Sequence, residues 1–504
     1  MDDNFPKSDR VDIMLLLEGT FPYVSGGVSS WVNQIIRGFP QYSFGAVFLG
    51  SDRDDYGTFK YDLPPNLVHL EAFYLQDKQE QPAIRPMEGN REGMETVRQL
   101  HAWFRKPDPA TLNDSLKKVD FYLDPEKGVD FDQFLHAHRS WELISELYQE
   151  RCTDPSFVDY FWTVRNMHTP IWLLAGIAKR LIPARVYHTV STGYAGFLGA
   201  LLHYNTGRPL LLSEHGIYTK ERRIDIFNSD WIQDNRNALQ KDPTEVSYHR
   251  DLWIRFFETM GRFCYGAAEN IVALYEGARE REISDGASAE RTMVIPNGID
   301  IEKFATLRHL RPEVTPPVLT LLGRVVPIKD IKTFIRALRL IANRLPQVQG
   351  WIIGPEDESP EYLAECRALV ESLDIAVNVK FMGFRDPMDI LPKTGVLVLS
   401  SVSEGLPLVI LEAFAAGIPV VATDVGACRQ LIMGHGPQDE AIGAAGRVVG
   451  INNPQDLAQA ALQFLTDRPQ WQQASQAAVT RVERFYTHER MFDSYRELYR
   501  KGQS

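Results

Sequence analysis

The sequence lacks the features of several large protein classes. Its four cysteines, Cys152, Cys264, Cys366 and Cys428, are far apart and include no C-x-x-C pair, which argues against a disulfide framework or a zinc site. No run of about 18 apolar residues occurs, so no membrane-spanning helix is predicted. Positive charge is in deficit, with a formal net charge of −12, which argues against nucleic acid as a partner. The acidic N-terminus does not resemble a signal peptide, and we therefore expect a cytoplasmic protein.

The chain has the length and composition of a two-domain globular protein. At 504 residues, with 44% apolar residues, it is too long for a single hydrophobic core. The proline-containing stretch 308–317 is the predicted linker between a first domain, 1–307, and a second domain, 318–470. A mostly helical insertion is expected in the first domain around 75–165.

Short apolar runs alternate with helical segments in both halves, which predicts parallel sheets with helical crossovers. Strands are expected at 11–17, 44–49, 185–188, 209–213, 270–274 and 293–295, and then at 318–322, 350–353, 379–382, 396–399 and 419–422. Helices are expected at about 28–39, 329–344 and 470–502.

Two glutamates eight positions apart mark the most informative segment. The apolar run 396–399 predicts a buried strand, and Pro407 fits the first position of a helix, where a missing N–H costs nothing. Gly417 is a typical helix stop. Glu404 is therefore expected on a loop at the carboxyl end of the strand, and Glu412 in the helix that follows.

Arg324 and Lys329 flank the turn after the first strand of the second domain. Carboxylates suit the hydroxyls of a ribose and a sugar, whereas Arg and Lys suit a diphosphate. Open α/β sheets bind ligands at the carboxyl ends of their strands. Together with Glu404 and Glu412, the two cations therefore predict a nucleotide-sugar site.

Glu404 and Glu412 match the E-x7-E motif of retaining glycosyltransferases of family 4, and the chain resembles that family over nearly its whole length. Further segments resemble the bacterial exopolysaccharide subfamily typified by PelF: 15–20, 23–31, 213–218, 296–300 and Gly323-Arg324. The resemblance implies an α/β fold of the GT-B type, with two Rossmann-like domains facing each other across a cleft. It also implies that C-terminal helices at 471–504 cross back to the first domain.

The implied activity is transfer of a hexosyl unit, with retention, from a UDP-sugar to a growing glycan in Pel-type exopolysaccharide synthesis. With cationic side chains on the diphosphate, neither a metal nor another cofactor is expected. The glycan acceptor is expected on the first domain. Peripheral association with membrane synthase or export subunits, at the inner face of the membrane, is also expected.

The resemblance assigns roles to residues of the second domain. Glu412 is expected to bind the ribose hydroxyls, Glu404 the donor sugar, and Arg324 and Lys329 the diphosphate. The donor-binding loop between the two glutamates also contains Gly405, Leu406, Pro407 and Leu408, whose backbone N–H groups are candidate phosphate contacts.

The first domain also contains candidate site residues. Gly26 and Gly27 lie between a predicted strand and a helix, where a ligand can approach the backbone and the helix N-terminus favours a phosphate. His188 ends a predicted strand and is the candidate catalytic histidine, as implied by the resemblance. His215 competes with it, and the sequence does not separate the two. Arg222, with His215 and with Asn297 further along the chain, is a candidate contact for the acceptor or the donor sugar.

One D-x-D pattern, Asp52-Arg53-Asp54, is compatible with a metal–diphosphate site. It lies early in the chain in a charged loop, and a solvated turn is the favoured interpretation.

Two other functions fit the same motifs. A nucleotide-sugar epimerase of this fold would convert the donor without an acceptor. A non-catalytic, donor-sensing subunit of a membrane polysaccharide synthase would bind UDP tightly without turnover.

Overall fold

The structure is a computed structural model that describes residues 5–76, 86–105, 113–237 and 245–503. Residues 77–85 and 106–112 of the predicted insertion lie outside the described residues. The chain divides into two compact units. The first unit contains Met1–Ala273, Arg279–Val294 and Arg496–Ser504, and the second contains Leu274–Ala278 and Ile295–Tyr495.

The described residues of the first unit form a seven-stranded sheet in which every pair of neighbouring strands is parallel. Its strands are β1 (Val11–Glu18), β2 (Phe44–Gly50), β3 (Leu67–Tyr74), β4 (Ala184–Thr189), β5 (Leu210–Glu214), β6 (Asn270–Ala273) and β7 (Thr292–Val294). Their order is β3-β2-β1-β4-β5-β6-β7. Residues 13–17 of β1 have no exposed surface, because helices cover both faces of a parallel sheet.

Helices of the first unit connect these strands and form the predicted insertion. They are α1 (Gly27–Gly38), α2 (Arg91–Arg105), α3 (Val119–Leu123), α4 (Phe131–His136), α5 (His138–Arg151), α6 (Phe157–Arg180), α7 (Tyr194–Thr206), α8 (Tyr218–Asn228), α9 (Tyr248–Ala267) and α10 (Glu276–Asp285), of which α10 begins in the second unit. The described part of the insertion, α2 to α6 between β3 and β4, is helical. Among the described helices, none has both the length and the apolar character needed to cross a bilayer.

The described residues of the second unit form a six-stranded parallel sheet in the order β10-β9-β8-β11-β12-β13. Its strands are β8 (Val318–Leu322), β9 (Gln349–Ile353), β10 (Val379–Phe381), β11 (Val396–Leu399), β12 (Val420–Thr423) and β13 (Gly446–Val449). Its helices are α11 (Ile301–Ala305), α12 (Ile331–Ala342), α13 (Pro360–Ser372), α14 (Pro387–Ile390), α15 (Leu408–Ala415), α16 (Cys428–Met433), α17 (Pro437–Glu440), α18 (Pro454–Thr466) and α19 (Arg468–Phe485), followed by α20 (His488–Gln503).

Both sheets reverse their strand order at one point. In the first unit the chain moves outward from β1 to β3 and then returns to place β4 on the other side of β1. The second unit repeats this pattern with β8 and β11. Such switch points open a crevice at the carboxyl ends of the two strands, where open α/β sheets bind ligands. The predicted α/β architecture of two Rossmann-like sheets is confirmed.

The predicted linker, 308–317, and the segment before it belong to the second unit rather than lying between the units. Phe304 and Leu307 are buried in the core of the second unit. Nε of Arg308 donates a hydrogen bond to the backbone carbonyl of Ala415 at 2.7 Å. The main segment of the second unit therefore begins at Ile295, before the predicted linker, because the residues that precede the linker are buried in the core of this unit.

The predicted return of 471–504 to the first unit holds only for its end. In α19, Ala478 and Val482 are wholly buried in the core of the second unit, so this helix belongs there. Within α20, Arg496–Ser504 belongs to the first unit, where Tyr499 is wholly buried.

Candidate functional site

The glutamate motif lies where the second sheet reverses its strand order. β11 ends at Leu399, a loop follows, and α15 begins at Leu408 with Pro407 as its N-cap residue. Glu404 is in this loop and Glu412 is in the second turn of α15. Pro407 precedes the helix by one position instead of opening it, a shift within the usual range for helix boundaries.

Glu404 is tied to the turn that follows β8. Its Oε1 accepts a hydrogen bond from Nζ of Lys329 at 2.6 Å and another from the hydroxyl of Ser401 at 2.5 Å. The hydroxyl of Ser400 donates to the backbone carbonyl of Lys329 at 2.8 Å. The side chains of Lys329 and Glu404 are both mostly buried. The loops after β8 and β11 therefore present a cation and a carboxylate together.

Arg324 lies in the same turn but has a different partner. Its Nη1 is 2.6 Å from both carboxylate oxygens of Glu358, and its side chain is 54% exposed. The side chain of Lys329 passes 3.4 Å from the point where a Cβ on Gly323 would lie. The two cations therefore lie at one edge of the sheet, each paired with a glutamate.

Two glycines allow these loops to approach one another. Gly354, with φ +150°, lies so close to Gly323 that a Cβ would be 2.0 Å from the carbonyl oxygen of Gly323. Gly426, with φ +52°, lies against the motif loop, where a Cβ would be 2.3 Å from the carbonyl oxygen of Glu404 and 2.4 Å from that of Gly405. Any larger residue at either position would push the loops apart.

Glu412 is partly exposed, and its side chain has no hydrogen bond to another described residue. Burial raises the pKa of this carboxyl, the positive charge of Lys303 opposes that rise, and the negative charge of Asp386 adds to it. A carboxylate that is partly desolvated and not bound to other side chains can accept hydrogen bonds from the hydroxyl groups of a ligand.

The loop residues between the two glutamates differ in exposure. Gly405 and Leu408 are partly exposed, whereas Leu406 and Pro407 are buried. Leu406 belongs to the core of the second unit. The predicted donor contact of Leu406 is therefore limited to its backbone.

Asn297 is a buried residue of the second unit. Its Oδ1 has no hydrogen-bond partner among the described residues. The next residue, Gly298, is packed so tightly that a Cβ would be 2.4 Å from the carbonyl oxygen of Thr487. An unpaired acceptor in a fixed segment fits the ligand contact predicted for Asn297.

In the first unit, Gly26 and Gly27 form the start of α1 next to the carboxyl end of β1. A Cβ on either glycine would meet no atom within 4 Å. The backbone N–H of Gly26 donates only a long, 3.4 Å hydrogen bond, to the hydroxyl of Tyr61. The N-terminus of α1 therefore has open space beside it, which fits the predicted approach of a ligand.

His188 has the environment of a structural residue. The ring is wholly buried, with Nδ1 2.8 Å from the hydroxyl of Tyr499 and Nε2 2.8 Å from the hydroxyl of Ser213. Burial lowers the pKa of His188 to about 3, and the neighbouring His215 contributes to the shift. Because both ring nitrogens are occupied and no surface is exposed, this geometry does not support the predicted catalytic contact of His188.

His215 differs from His188 in having an unpaired nitrogen. It follows β5 directly, is partly exposed, and packs on Trp31 with ring centroids 4.4 Å apart. Its Nε2 has no hydrogen-bond partner among the described residues. Burial lowers the pKa of His215 to about 3, so the ring is neutral at physiological pH. Of the two histidines, His215 is the one with a free polar atom for a ligand.

Glu18, Tyr218 and Arg222 form a group in the first unit, of which only Arg222 was predicted as a site residue from the sequence. The hydroxyl of Tyr218 donates to Oε1 of Glu18 at 2.7 Å, and the Arg222 guanidinium lies 5.1 Å from the centroid of the Tyr218 ring. Nε of Arg222 is buried without a hydrogen-bond partner among the described residues. The available signal was a charged residue at the end of an apolar strand, directly before Gly19.

Glu214 and Glu282 are two buried carboxyl groups of the first unit. Glu214, which ends β5, accepts hydrogen bonds from the hydroxyl of Tyr265 at 2.7 Å and from the backbone N–H of Tyr218 at 3.1 Å. Glu282 in α10 is wholly buried, and neither carboxylate oxygen has a hydrogen-bond partner among the described residues. Burial raises the pKa of both groups, and the negative charge of Glu214 raises that of Glu282 further.

The D-x-D pattern forms a local turn. Arg53–Asp55 is a single 3-10 turn, and the carboxylate of Asp52 caps it by accepting from the backbone N–H of Asp54. No residue of this turn is buried. Within the described ranges, no three His, Cys, Asp or Glu side chains are grouped as metal ligands would be.

Comparison with protein families gives two matches. The family described as "Domain of unknown function (DUF3492)" matches residues 11–290, and the family described as "Glycosyl transferases group 1" matches residues 316–467.

Curated relatives match part of the chain. The exopolysaccharide phosphotransferase of Streptomyces coelicolor is 30% identical over 204 residues, which is 40% of this chain and 20% of that protein. The D-inositol 3-phosphate glycosyltransferase of Corynebacterium urealyticum is 28% identical over 251 residues, which is 46% of this chain and 56% of that protein. The chain therefore spans less than two thirds of these two relatives.

Similar solved structures match almost the whole chain. Anabaena HepE in complex with UDP has a TM-score of 0.59 at 16% identity, covering 97% of this chain and 100% of that chain. Sucrose-phosphate synthase from Thermosynechococcus elongatus has a TM-score of 0.55 at 18% identity, covering 97% and 98%. The predicted GT-B fold class is confirmed.

The buried acid pair predicts that the first unit loses stability as pH rises. Because the folded pKa values of Glu214 and Glu282 lie above their unfolded values, the folded unit retains protons that the unfolded chain has released. The contribution of these two carboxyl groups to the free energy of unfolding is complete below their unfolded pKa values and is lost as pH rises through their folded pKa values. Glu282→Gln removes one of these ionisations, so its melting temperature should fall less with pH than that of the wild type.

The measurement is thermal unfolding of the full chain at a series of pH values from mildly acidic to alkaline. Glu280→Gln, an exposed glutamate of the same helix, is the matched control and should follow the wild type. Parallel pH profiles for wild type and Glu282→Gln would contradict the assignment.

Proposed function

The chain belongs to the family described as "Domain of unknown function (DUF3492)", and on that premise we propose that it is a retaining glycosyltransferase of family 4. It takes a hexosyl unit from a UDP-sugar and adds it to a growing glycan in exopolysaccharide synthesis of the Pel type, without a metal. The observation that carries the proposal is the contact of Lys329 with Glu404, beside Arg324, at the switch point of the second sheet.

The diphosphate of the donor binds Arg324 and Lys329. In the structure Glu358 contacts the Arg324 guanidinium through both carboxylate oxygens, as two oxygens of a phosphate group would. Lys329 supplies a compact second charge. A diphosphate carries more negative charge than one carboxylate, so the donor displaces Glu358 from Arg324 without needing a metal ion.

The donor sugar binds Glu404. Lys329 and Ser401 already orient this carboxylate by donating to one of its oxygens, Oε1. The second oxygen accepts from a hydroxyl of the sugar. This arrangement fixes the sugar relative to the diphosphate that Lys329 also contacts, which is the positioning that group transfer requires.

The ribose of the donor binds Glu412. Its carboxylate is partly buried, has a raised pKa and has no hydrogen bond to another described residue. The 2′- and 3′-hydroxyls of a ribose supply two donors to one carboxylate, which restores the solvation that burial removed.

Retention follows from substitution on one face of the sugar. The oxygen of the acceptor hydroxyl forms a bond to the anomeric carbon while the bond from that carbon to the UDP oxygen breaks on the same face. The acceptor proton passes to the leaving phosphate oxygen, so the products are the extended glycan and UDP. Arg324 and Lys329 stabilise the negative charge that grows on the leaving group.

In the first unit, His215 is the proposed sugar-contacting histidine, because its Nε2 has no hydrogen-bond partner among the described residues, whereas both ring nitrogens of His188 have one. Arg222, which follows His215 in the sequence and lies on α8, is a candidate sugar contact. The backbone N–H groups at the open start of α1, at Gly26 and Gly27, are candidate donors to a phosphate.

The relatives support the choice of donor and pathway. One structural neighbour is described in complexes with UDP and with UDP-glucose, and one curated relative carries exopolysaccharide in its name. The polymer made in such a pathway is exported, so the enzyme works beside membrane synthase or export subunits.

Replacing Lys329 tests the proposal. Lys329→Met should lower the rate of UDP release from a UDP-sugar in the presence of acceptor by roughly a hundredfold, as for loss of one charge-stabilising group at a reacting centre. Lys332→Met is the matched control, because Nζ of Lys332 contacts Glu365 at 2.6 Å and has no place in the proposed site.

The assay uses a panel of UDP-sugars with and without membrane extract as the source of acceptor. Acceptor-dependent UDP release supports the transferase. Conversion of the donor sugar without acceptor would identify an epimerase instead. UDP binding without any turnover would identify a donor-sensing subunit.

Removing the ion-pair partner of Arg324 should strengthen binding of the donor. Glu358→Gln removes the carboxylate that competes with the diphosphate, and UDP affinity should rise about two- to fivefold, the range expected for an exposed ion pair. Glu365→Gln breaks the comparable pair with Lys332 and should leave UDP affinity unchanged. Equal UDP affinities for Glu358→Gln and wild type, measured by calorimetry at low salt, would refute competition at Arg324.

A further inference from the structure

Helix α8 of the first unit has a buried side and an apolar exposed side. Tyr218 and Ile226 are buried, and the helix packs on α9, where the ring of Tyr218 lies 5.9 Å from that of Phe257. On the opposite side, Ile224 is 42% exposed and Phe227 is 45% exposed. Residues three apart share one side of a helix, so these two side chains form a continuous apolar surface.

Trp231, three positions beyond the end of the helix, is a third exposed apolar side chain. It is 63% exposed, although its ring packs on Trp253 with centroids 5.5 Å apart. The packing holds the indole at a fixed place without burying it. A single exposed apolar residue is ordinary, but three large ones within eight positions need an explanation.

Cations accompany the apolar residues on the same side of the helix. Lys220 lies four positions before Ile224, Arg223 lies four positions before Phe227, and both are exposed. The Arg223 guanidinium is 5.9 Å from the centroid of the Phe227 ring. The acidic residues of α8 are Glu221, which lies three positions before Ile224, and Asp225, which is 3.4 Å from Arg222. Although the chain has a net charge of −12, Ile224 and Phe227 are thus each preceded by a cation four positions earlier.

We propose that the α8 face, defined as Lys220, Arg223, Ile224, Phe227 and Trp231, binds the surface of an anionic lipid bilayer. Tryptophan and phenylalanine enter the boundary between head groups and acyl chains, and lysine and arginine attract anionic head groups. Neither contribution holds a protein on a membrane well by itself, and the α8 face combines both.

A bilayer explains this composition better than a protein partner does. The surface is one exposed helix side with its cations on long side chains, which extend to reach head groups while the rings insert. Binding there leaves the buried side of α8, with Tyr218, in place. Because α8 begins at the carboxyl edge of the first sheet, it would hold that edge near the lipid.

A second group of exposed apolar residues in the same unit provides the contrast. Trp162 is 55% exposed and Trp141 is 49% exposed. The nearby Arg165 is only partly exposed, lies with its guanidinium 4.6 Å from the Phe161 ring and donates a hydrogen bond to the carbonyl of Leu135. Lys220 and Arg223 of the α8 face are exposed instead, so the proposal does not extend to the group around Trp162.

The experiment is co-sedimentation of the full chain with vesicles of phosphatidylcholine alone and with vesicles that also contain phosphatidylglycerol. Wild type should sediment with the anionic vesicles only, and added salt should weaken binding. Arg223→Ala should lower the partition coefficient about fivefold, as for loss of one cation at an anionic surface. The double variant Phe227→Ser, Trp231→Ser should lower it by at least about tenfold, and Trp162→Ser should match the wild type.

Thermal unfolding of each variant establishes that it is folded, and UDP binding is measured in parallel. Vesicle binding needs no nucleotide, so this test and that of the proposed transferase can fail independently. Wild type that stays in solution with anionic vesicles, or equal losses for Trp162→Ser and the double variant, would overturn the proposal. Light scattering that shows a dimer dissociated by the double variant would assign the face to a second copy of the chain instead.

Discussion

The contact between Nζ of Lys329 and Oε1 of Glu404, 2.6 Å long and mostly shielded from water, is the interaction on which the candidate site depends. It joins the loops that follow β8 and β11, the two strands between which the second sheet reverses its order. Partly burying two charges costs desolvation, and an apolar pair would often be at least as stable. A charged pair can instead exchange partners with an incoming phosphate and hydroxyl, so its presence at this edge favours ligand binding over stability alone.

The parts of the fold that the sequence predicted well are those with the strongest local pattern. β11 is a continuous apolar run and β1 is apolar from Ile13 to Leu17, because both faces of each strand are covered, and both strands were predicted within one residue of the observed bounds. β3 was missed because His69 and Glu71, which contact each other at 2.9 Å, interrupt its apolar run. β13 was also missed. Both are edge strands, paired on one side, and edge strands tolerate polar residues that a central strand does not.

The same distinction applies to the site. The strand, loop and helix around Glu404 follow from residues close together in the sequence, and the placement of Glu404 was predictable. The role of His188 was not, because its partner Tyr499 lies 311 positions further along the chain and no local pattern reports it. The contact of Glu18 with Tyr218 spans 200 positions and was missed for the same reason. Contacts between residues that are far apart in the sequence can be identified only from the structure.

If the candidate site is a donor site, the switch point of the second sheet binds a uridine nucleotide without a metal. The most direct measurement is a calorimetric titration of UDP, with GDP and ADP alongside, into wild type, Glu412→Ala and the exposed-residue control Glu361→Ala, all in the presence of a chelator. Wild type and the control should bind UDP in preference to the other nucleotides. Glu412→Ala should bind UDP about tenfold more weakly or worse, because two hydrogen bonds to a carboxylate are lost. Equal UDP affinity for Glu412→Ala and wild type, or no nucleotide binding by wild type, would contradict it.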